Sequence, residues 1–438
     1  MSDELFVHLN GVFMGVYSQT SGGATTFEYD RGYVDGRAAT PLSASLPLGA
    51  SRHPARAVNG YFAGLVPEGA EALQKIDNTY RLRGKLSAFN ILRHIGRDAP
   101  GAVQILPPDE VAGDAANARG DVTRLTNETF VELVTDLAQA PDDYAQRAEP
   151  GKWSLPGAQR KVALFRFEDG SWGIPNDSTP TTHILKPAIP GFANHDVNEY
   201  LSMRAARSFG IATANTTIEM VSQELSVLVS ERYDRYERGG QWQRLHQEDI
   251  CQALSVLPKY KYQKDSGPGI ADIADHISGF PNSEDRDISR KIFFDAMVFN
   301  VAAWATDGHA KNYSIMLRGS RQTLAPLYDI ASHAPYPPGG IPDSSAMKIG
   351  DEYLLSRIGK KHLMKAAARI RVDSDWASER VDVITRNVTD VYAAAADELV
   401  GSPLLESAGK RVVDSIRAKS RERGWIDDAA HIDLAPRL

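Results

Sequence analysis

Ala305-Thr306-Asp307-Gly308-His309-Ala310-Lys311-Asn312, followed by Tyr328-Asp329-Ile330, is the stretch that decides the fold. Asp307 and Asn312 stand five positions apart, enough for one loop to turn both side chains toward a common cleft. Asp329 comes 17 positions after Asn312, beyond two strand-like runs, Tyr313 to Leu317 and Thr323 to Leu327. Phosphoryl transfer asks little covalent chemistry of a protein; it needs positioned carboxylates, metal ions and a lysine that clamps phosphate. In that chemistry Asp307 accepts the proton of the acceptor hydroxyl, and Asn312 and Asp329 offer oxygen ligands to magnesium. The same spacing arises by accident in turns and helix caps. The hairpin between its halves and the apolar helix ahead of it, Ile292 to Trp304, lift it above that background. Lys311 is expected to steady the transferred phosphate, whereas His309 either orients Asp307 or faces solvent.

Upstream, residues 150 to 232 read strand, strand, strand, helix, strand, strand, opened by a boundary at Pro150-Gly151. The strands centre on Val162 to Leu164, Trp172 to Ile174, Thr182 to Lys186, Thr216 to Val221 and Leu225 to Ser230, and the helix, Val197 to Phe209, closes on Gly210. Lys186 ends its strand where a phosphate-clamping lysine would, and Glu199 on the next helix is placed to pair with it. Each taken singly also reads as an ordinary solvated side chain. The strand ending at Ser230 runs into Glu231-Arg232-Tyr233, where a hinge would offer backbone groups to adenine. Ser154-Leu155-Pro156-Gly157-Ala158-Gln159-Arg160-Lys161 precedes a strand, and its small residues allow backbone N–H groups near phosphates. Ser154 would then be an accessible hydroxyl beside the nucleotide. The stretch is no Walker A loop, a pattern found nowhere in the chain.

Toward the N-terminus, Asn10-Gly11 between two β-prone runs signals a hairpin, with a third strand near Thr25 to Tyr29. Val58 to Arg93 reads helical, Asp98 to Gly120 as a loop, and Thr126 as the cap of a further helix. Beyond Arg235 the pattern is mostly helical, broken at Pro335 to Pro342. The reading is an α+β chain: an N-terminal mixed α/β module (1–110), a β-rich nucleotide lobe with a connecting helix (111–235) and a helical catalytic lobe (236–438). A β-rich lobe followed by a helical one is the outline of a two-lobed protein kinase.

Composition removes other classes. With 438 residues the chain has room for two or three domains. Its single cysteine, Cys251, excludes a disulfide framework and a cysteine-based zinc ribbon, and reads as a buried packing residue. No His-Glu-x-x-His occurs. A formal charge of −7 disfavours nonspecific DNA binding by this chain alone, and the cluster Arg357, Lys360, Lys361, His362 reads as solvated surface. No apolar run reaches membrane-spanning length and no apolar core follows the acidic start, so a cytoplasmic protein is expected.

The ordered motifs resemble HipA-type serine/threonine kinases, the toxins of HipBA toxin–antitoxin pairs. They are Pro41-Leu42-Ser43-x-Ser45-Leu46-Pro47-Leu48, Ile95-Gly96-Arg97-Asp98 with Gly101-Ala102-Val103, Ser154-x-x-Gly157-x-Gln159-x-Lys161, Pro180 to Lys186, Glu231 to Arg235, Gln247 to Asp249, Gly267-Pro268-Gly269-Ile270 and the two quoted first. The resemblance implies ATP and Mg2+ as cofactors, Asp307 as base, Asn312 and Asp329 as metal ligands and Lys186 on the ATP phosphates. It implies a phosphate loop at Pro156 to Lys161, adenine binding by Glu231 to Tyr233, with Tyr328 beside Asp329 on the nucleotide, and inhibitory autophosphorylation at Ser154. It further implies an aminoacyl-tRNA synthetase, glutamyl-tRNA synthetase or another, as substrate. The implied partner is a helix-turn-helix antitoxin, through which operator DNA is mainly reached. Pro156 departs from the small residue expected there, and the family's DNA-touching lysine stretch has only Arg357 to His362 in its place. A weakly active corepressor and a small-molecule phosphotransferase are the competing readings. The complete Lys186, Asp307, Asn312, Asp329 set speaks against the first, and the large N-terminal module suits protein partners better than the second.

Overall fold

A computed structural model describes residues 3–36, 39–110, 121–139, 153–176, 178–336 and 343–426. The boundary expected at Pro150-Gly151 and most of the Pro335 to Pro342 break lie outside these residues.

The chain opens with the expected meander, β1 (Asp3–Leu9), β2 (Val12–Gln19) and β3 (Thr25–Tyr29). Asn10 and Gly11 both take positive φ, 48° and 81°, the backbone that a two-residue hairpin turn demands. A fourth strand, β4 (Val103–Leu106), pairs antiparallel with β1 and completes a sheet of order β3-β2-β1-β4. It falls inside the stretch expected to be a loop. Pro107 and Pro108 advertise a break, but Val103-Gln104-Ile105-Leu106 is fully buried and short enough to escape a periodicity reading. Helices Ala55–Gly64, Ala70–Tyr80 and Ala88–Ile95 fill the region read as helical. The Tyr17 and Phe62 rings stack 3.6 Å apart between the sheet and the first of these helices.

The second sheet has six strands: β5 (Val122–Arg124), β6 (Val162–Arg166), β7 (Trp172–Pro175), β8 (His183–Pro187), β9 (Thr216–Met220) and β10 (Ser226–Glu231), in the order β5-β7-β6-β8-β10-β9. Thr126 caps helix Asn127–Gln139 through Thr129 N–H, as expected. Helix His195–Ser208 packs on the sheet and ends at Gly210, whose φ is +76°.

The region past Arg235 holds more strand than its sequence suggests. β11 (Arg235–Arg238) and β12 (Gln241–Arg244) form a ribbon. β13 (His246–Asp249), β14 (Ser314–Arg318) and β15 (Arg321–Leu324) form a three-stranded sheet, and β16 (Ser344–Ile349) with β17 (Glu352–Leu354) form another hairpin. β14 and β15 are the two strand-like runs expected between Asn312 and Asp329; β11, β12 and β13 are rich in arginine, glutamine and acidic residues and lack the apolar alternation that flags a strand. Helices Ile270–Ser278, Ser283–Ala302, Lys360–Ile370, Ser374–Ala396 and Pro403–Glu422 build the rest of the lobe. Cys251 is fully buried in its core. Lys360 pairs with Asp382 at 2.7 Å and His362 is buried, so the basic cluster there is partly spoken for. Among the described residues no helix is long and apolar enough to cross a membrane.

Candidate active site

A cleft of about 650 Å³ opens where the six-stranded sheet, the helical lobe and the N-terminal module meet. Its volume is in the range of small-molecule and cofactor sites. Lys186, at the end of β8, reaches Asp329 Oδ1 at 2.6 Å and Glu199 Oε1 at 2.7 Å. Burial works against the charge on Lys186, yet Asp329 and Glu199 outweigh it and hold the ammonium well above the usual lysine range. Burial pushes Glu199 up to about 7 against the pull of Lys186. Burial opposes the charge of Asp329 too, but Lys186 and Lys161 hold its carboxyl well below the usual carboxylate range. Asp329 is therefore the carboxylate that carries the firm negative charge. It sits at a positive φ of 60°, a conformation that aspartate tolerates better than most residues.

Asp307 and Asn312 flank a short turn across the cleft. Asn312 Nδ2 donates to the Asp307 carbonyl at 2.8 Å, which leaves the amide oxygen as the end available to a cation. Asp307 is more than half exposed, so a base there is open to an incoming group. His309 is buried with Nε2 3.9 Å from Asp307 Oδ2, beside the carboxylate and beyond hydrogen-bond reach of it. Burial lowers its pKa against the pull of Asp307, which favours a neutral ring.

Lys311 sits otherwise than a phosphate-steadying cation would. It is buried, with Nζ 2.6 Å from Asp249 Oδ2 and donating to the Gly64 carbonyl at 3.3 Å. It braces the Asp307 to Asn312 turn against β13 and the N-terminal module.

Along the loop before β6, Pro156, Gly157, Ala158, Gln159 and Lys161 all line the cleft. Gly157 has φ +100°, a backbone conformation that strains any residue bearing a side chain, which is why glycine serves there. Lys161 Nζ donates to the Pro156 carbonyl at 2.8 Å. Burial, and then the Lys186 charge, bring Lys161 down to about 8. Arg160 does not join them. In an extended segment alternate side chains point apart, and its guanidinium pairs with Glu71 at 3.0 Å and the Ala138 carbonyl at 3.2 Å.

Ser154 is not the accessible hydroxyl that was expected. It is fully buried; its Oγ donates to the Leu65 carbonyl, and its N–H donates to the Asp98 carbonyl at 2.8 Å.

At the hinge, Glu231 and Tyr233 line the cleft, and the Tyr233 and Tyr328 rings face one another with centroids 6.1 Å apart. Arg232 also lines the cleft, but its guanidinium is committed elsewhere. It meets Asp98 at 3.0 Å and Asp234 at 3.1 Å in a buried knot that also takes in Arg235 and Arg244. Its backbone N–H is committed to the Thr182 carbonyl at 2.9 Å.

Three residues of the cleft had no motif to announce them. Glu68, from the N-terminal module, pairs with Lys261 at 2.9 Å, and Tyr262 donates to Asp307 Oδ1 at 2.5 Å. The alternation of lysine and tyrosine in Lys259-Tyr260-Lys261-Tyr262 was the available signal.

The oxygen donors fit magnesium, which favours one or two carboxylates or carbonyl oxygens beside phosphate. Among the described residues no cluster of three or more His, Cys, Asp or Glu side chains offers a closed metal cage.

Comparison with known proteins places the chain in a family. Residues 5–106 match the family model of the HipA N-terminal domain, and residues 153–393 that of the HipA-like C-terminal domain. The provisionally named kinase Y4mE of Sinorhizobium fredii is 31% identical over 417 residues, which is 94% of each chain. The serine/threonine-protein kinase toxin HipA of Shewanella oneidensis is 25% identical over 323 residues, 72% of this chain and 71% of that one. The structure of the Shewanella oneidensis MR-1 HipA, HipB and operator DNA complex contains a chain of the same fold. The likeness has a TM-score of 0.78 over 96% of this chain and 99% of that chain, at 20% identity. With both halves matched, this chain belongs to the HipA family and has its kinase-like fold.

Proposed function

We propose that the protein is an ATP- and Mg2+-dependent serine/threonine-protein kinase, the toxin of a toxin–antitoxin pair. The observation that carries this reading is the Lys186 ammonium held between Glu199 and Asp329 across one cleft from Asp307 and Asn312. The division of labour follows the sequence reading, with 1–110 as docking module, 111–235 as nucleotide lobe and 236–438 as catalytic lobe.

In this reading Lys186 and Lys161 receive the ATP phosphates, and Glu199 keeps Lys186 in place. The Glu231 carbonyl and the Tyr233 N–H serve adenine, since the Arg232 N–H is already bonded. Asp329 and the Asn312 oxygen would hold magnesium, which neutralises phosphate charge when bound. Asp307 takes the proton of the acceptor hydroxyl, and Lys311 keeps its turn rigid. The substrate is an aminoacyl-tRNA synthetase of the glutamyl type or a relative, met in the cytoplasm. The partner is a HipB-like helix-turn-helix antitoxin that makes the main operator contact, as the presence of HipB and DNA beside the Shewanella protein supports.

Isothermal titration checks the first step: ATP is expected to bind only with magnesium, and Lys186→Met to lose that binding. Because phosphate prefers the protonated ammonium, affinity should also fall as pH rises through about 8, where Lys161 loses its proton. Magnesium-independent binding, or a Lys186→Met protein with full affinity, would overturn the assignment.

Ser154 then acts as an off switch through its burial. Its hydroxyl can be reached only after residues 153–157 leave the Leu65 and Asp98 carbonyls. A phosphate there carries about −1.5 to −2 charges and offers acceptors where a donor stood, so the segment cannot return. Mixing Asp307→Asn protein with an active copy should label Ser154 of the inactive one, and the labelled protein should lose ATP binding. An unmodified Ser154 in mass spectra, or normal ATP binding by phosphorylated protein, would refute the switch.

A further inference from the structure

We propose that Tyr262 is a positioning residue for phosphoryl transfer: its phenol holds one oxygen of Asp307 and so presents the other to the acceptor hydroxyl. The inference rests on the kinase reading above and deepens it.

An exposed aspartate on a turn is free to change rotamer, and a general base must be held to a narrow geometry. The contacts that rigidify this turn stop at the backbone. Asn312 Nδ2 and the His309 N–H both donate to the Asp307 carbonyl, at 2.8 and 2.7 Å, not to its carboxylate. His309 Nε2 stands 3.9 Å from Oδ2, too far to fix it. The bond that does reach the carboxylate is Tyr262 Oη to Oδ1, at 2.5 Å. An ionised carboxylate only accepts, so the phenol is the donor. Burial, and then the Asp307 charge, raise the Tyr262 pKa, which keeps that proton in place at neutral pH.

Tyr262 is itself anchored on several sides. Its ring meets His309 edge-on at 4.9 Å. The neighbouring Lys261 is tied to Glu68 of the N-terminal module at 2.9 Å, and its carbonyl accepts from Ala310 N–H at 3.4 Å. The Tyr262 carbonyl accepts from Gly267 N–H at 3.0 Å. Gly267 approaches the Tyr260 carbonyl so closely that a Cβ would stand 1.9 Å from it, which gives the Gly267-Pro268-Gly269 motif a role in closing the loop that carries Tyr262.

With Oδ1 occupied, the acceptor hydroxyl gives its proton to Oδ2. Its oxygen bonds to the γ-phosphorus, the bond from that phosphorus to the β–γ bridging oxygen breaks, and ADP leaves with that electron pair. The proton on Asp307 then passes to water.

Tyr262→Phe keeps the ring and removes the hydroxyl. The kcat for transfer from ATP is expected to fall about tenfold to a hundredfold, while the KM and dissociation constant for Mg-ATP stay within about twofold. Tyr262→Leu, also without a hydroxyl, should lose as much or more. An unchanged kcat in either variant overturns the proposal. So does a raised kcat, which would mean that the phenol shields the base, or a parallel fall in ATP affinity, which would mean a structural role only. Wild-type protein that transfers no phosphate from ATP, to itself or to another protein, would instead fail the kinase reading on which the proposal rests.

Discussion

Asp307→Asn is expected to abolish phosphoryl transfer and leave Mg-ATP binding nearly unchanged. The amide matches the carboxylate in size and can still accept from Tyr262, while the Asn312 bond runs to the backbone carbonyl and is untouched. The ability to take a proton is what disappears. A positioned general base contributes about 10²- to 10⁴-fold, and this contribution appears in transfer and not in ground-state binding. Single-turnover transfer with labelled ATP, beside calorimetric binding of unlabelled ATP, separates the two. Unaltered transfer would mean that the base lies elsewhere in the cleft.

The second large effect belongs to the buried knot. Asp98 accepts from Arg232 at 3.0 Å, Arg235 at 2.9 Å and Arg244 at 3.3 Å, as well as from the Thr181 hydroxyl at 2.7 Å. Asp98→Ala leaves three buried guanidinium groups with Asp234 as the carboxylate among them. Removing one partner of a buried ionic cluster costs about 3–5 kcal/mol, so urea unfolding should shift markedly toward lower denaturant. Burial opposes the charge on Asp98, but Arg235, Arg232 and Arg244 outweigh it and hold its carboxyl well below the usual range. Its stabilising effect is thus complete above the unfolded value of about 3.9 and is lost as pH falls below that. Wild-type stability should drop on acidification through this window, and the variant should show a shallower fall. A variant as stable as wild type at pH 7 would show that the knot is held by Asp234 alone.

The two-lobed fold was legible because its central pieces carry strong local signals. The Asn10-Gly11 turn, the strand ending at Lys186 and the Asp307 to Asn312 loop each announce themselves within a few residues. Lys186 and Asp329, 143 positions apart, could be paired on motif order alone. Contacts resting on distant, unremarkable residues could not. Arg232 was read as a nucleotide ligand because it sits in the hinge, yet its partner Asp98 lies 134 positions away in a stretch that reads as loop. Lys311 looked like a phosphate cation until Asp249 and Gly64 were brought to it. Ser154 looked exposed because it runs into the turn-forming Pro156-Gly157-Ala158. Its burial depends on carbonyls from Leu65 and Asp98, and a backbone acceptor leaves no mark in sequence.

The brace on Lys311 also sets when this centre can first work. The Gly64 carbonyl leaves the ribosome early, and its partner follows 247 residues later. At about 5–20 residues per second, that separation is roughly 12–50 s of synthesis. The N-terminal sheet and its helices can condense on their own core in that time, with the face that will meet the catalytic turn still waiting for it. The base cannot be braced until Lys311 has emerged and reached both Asp249 and the waiting module. A nascent chain therefore passes most of its synthesis without an assembled cleft, and the phosphoryl transfer proposed for it must wait until Lys311 has met both partners.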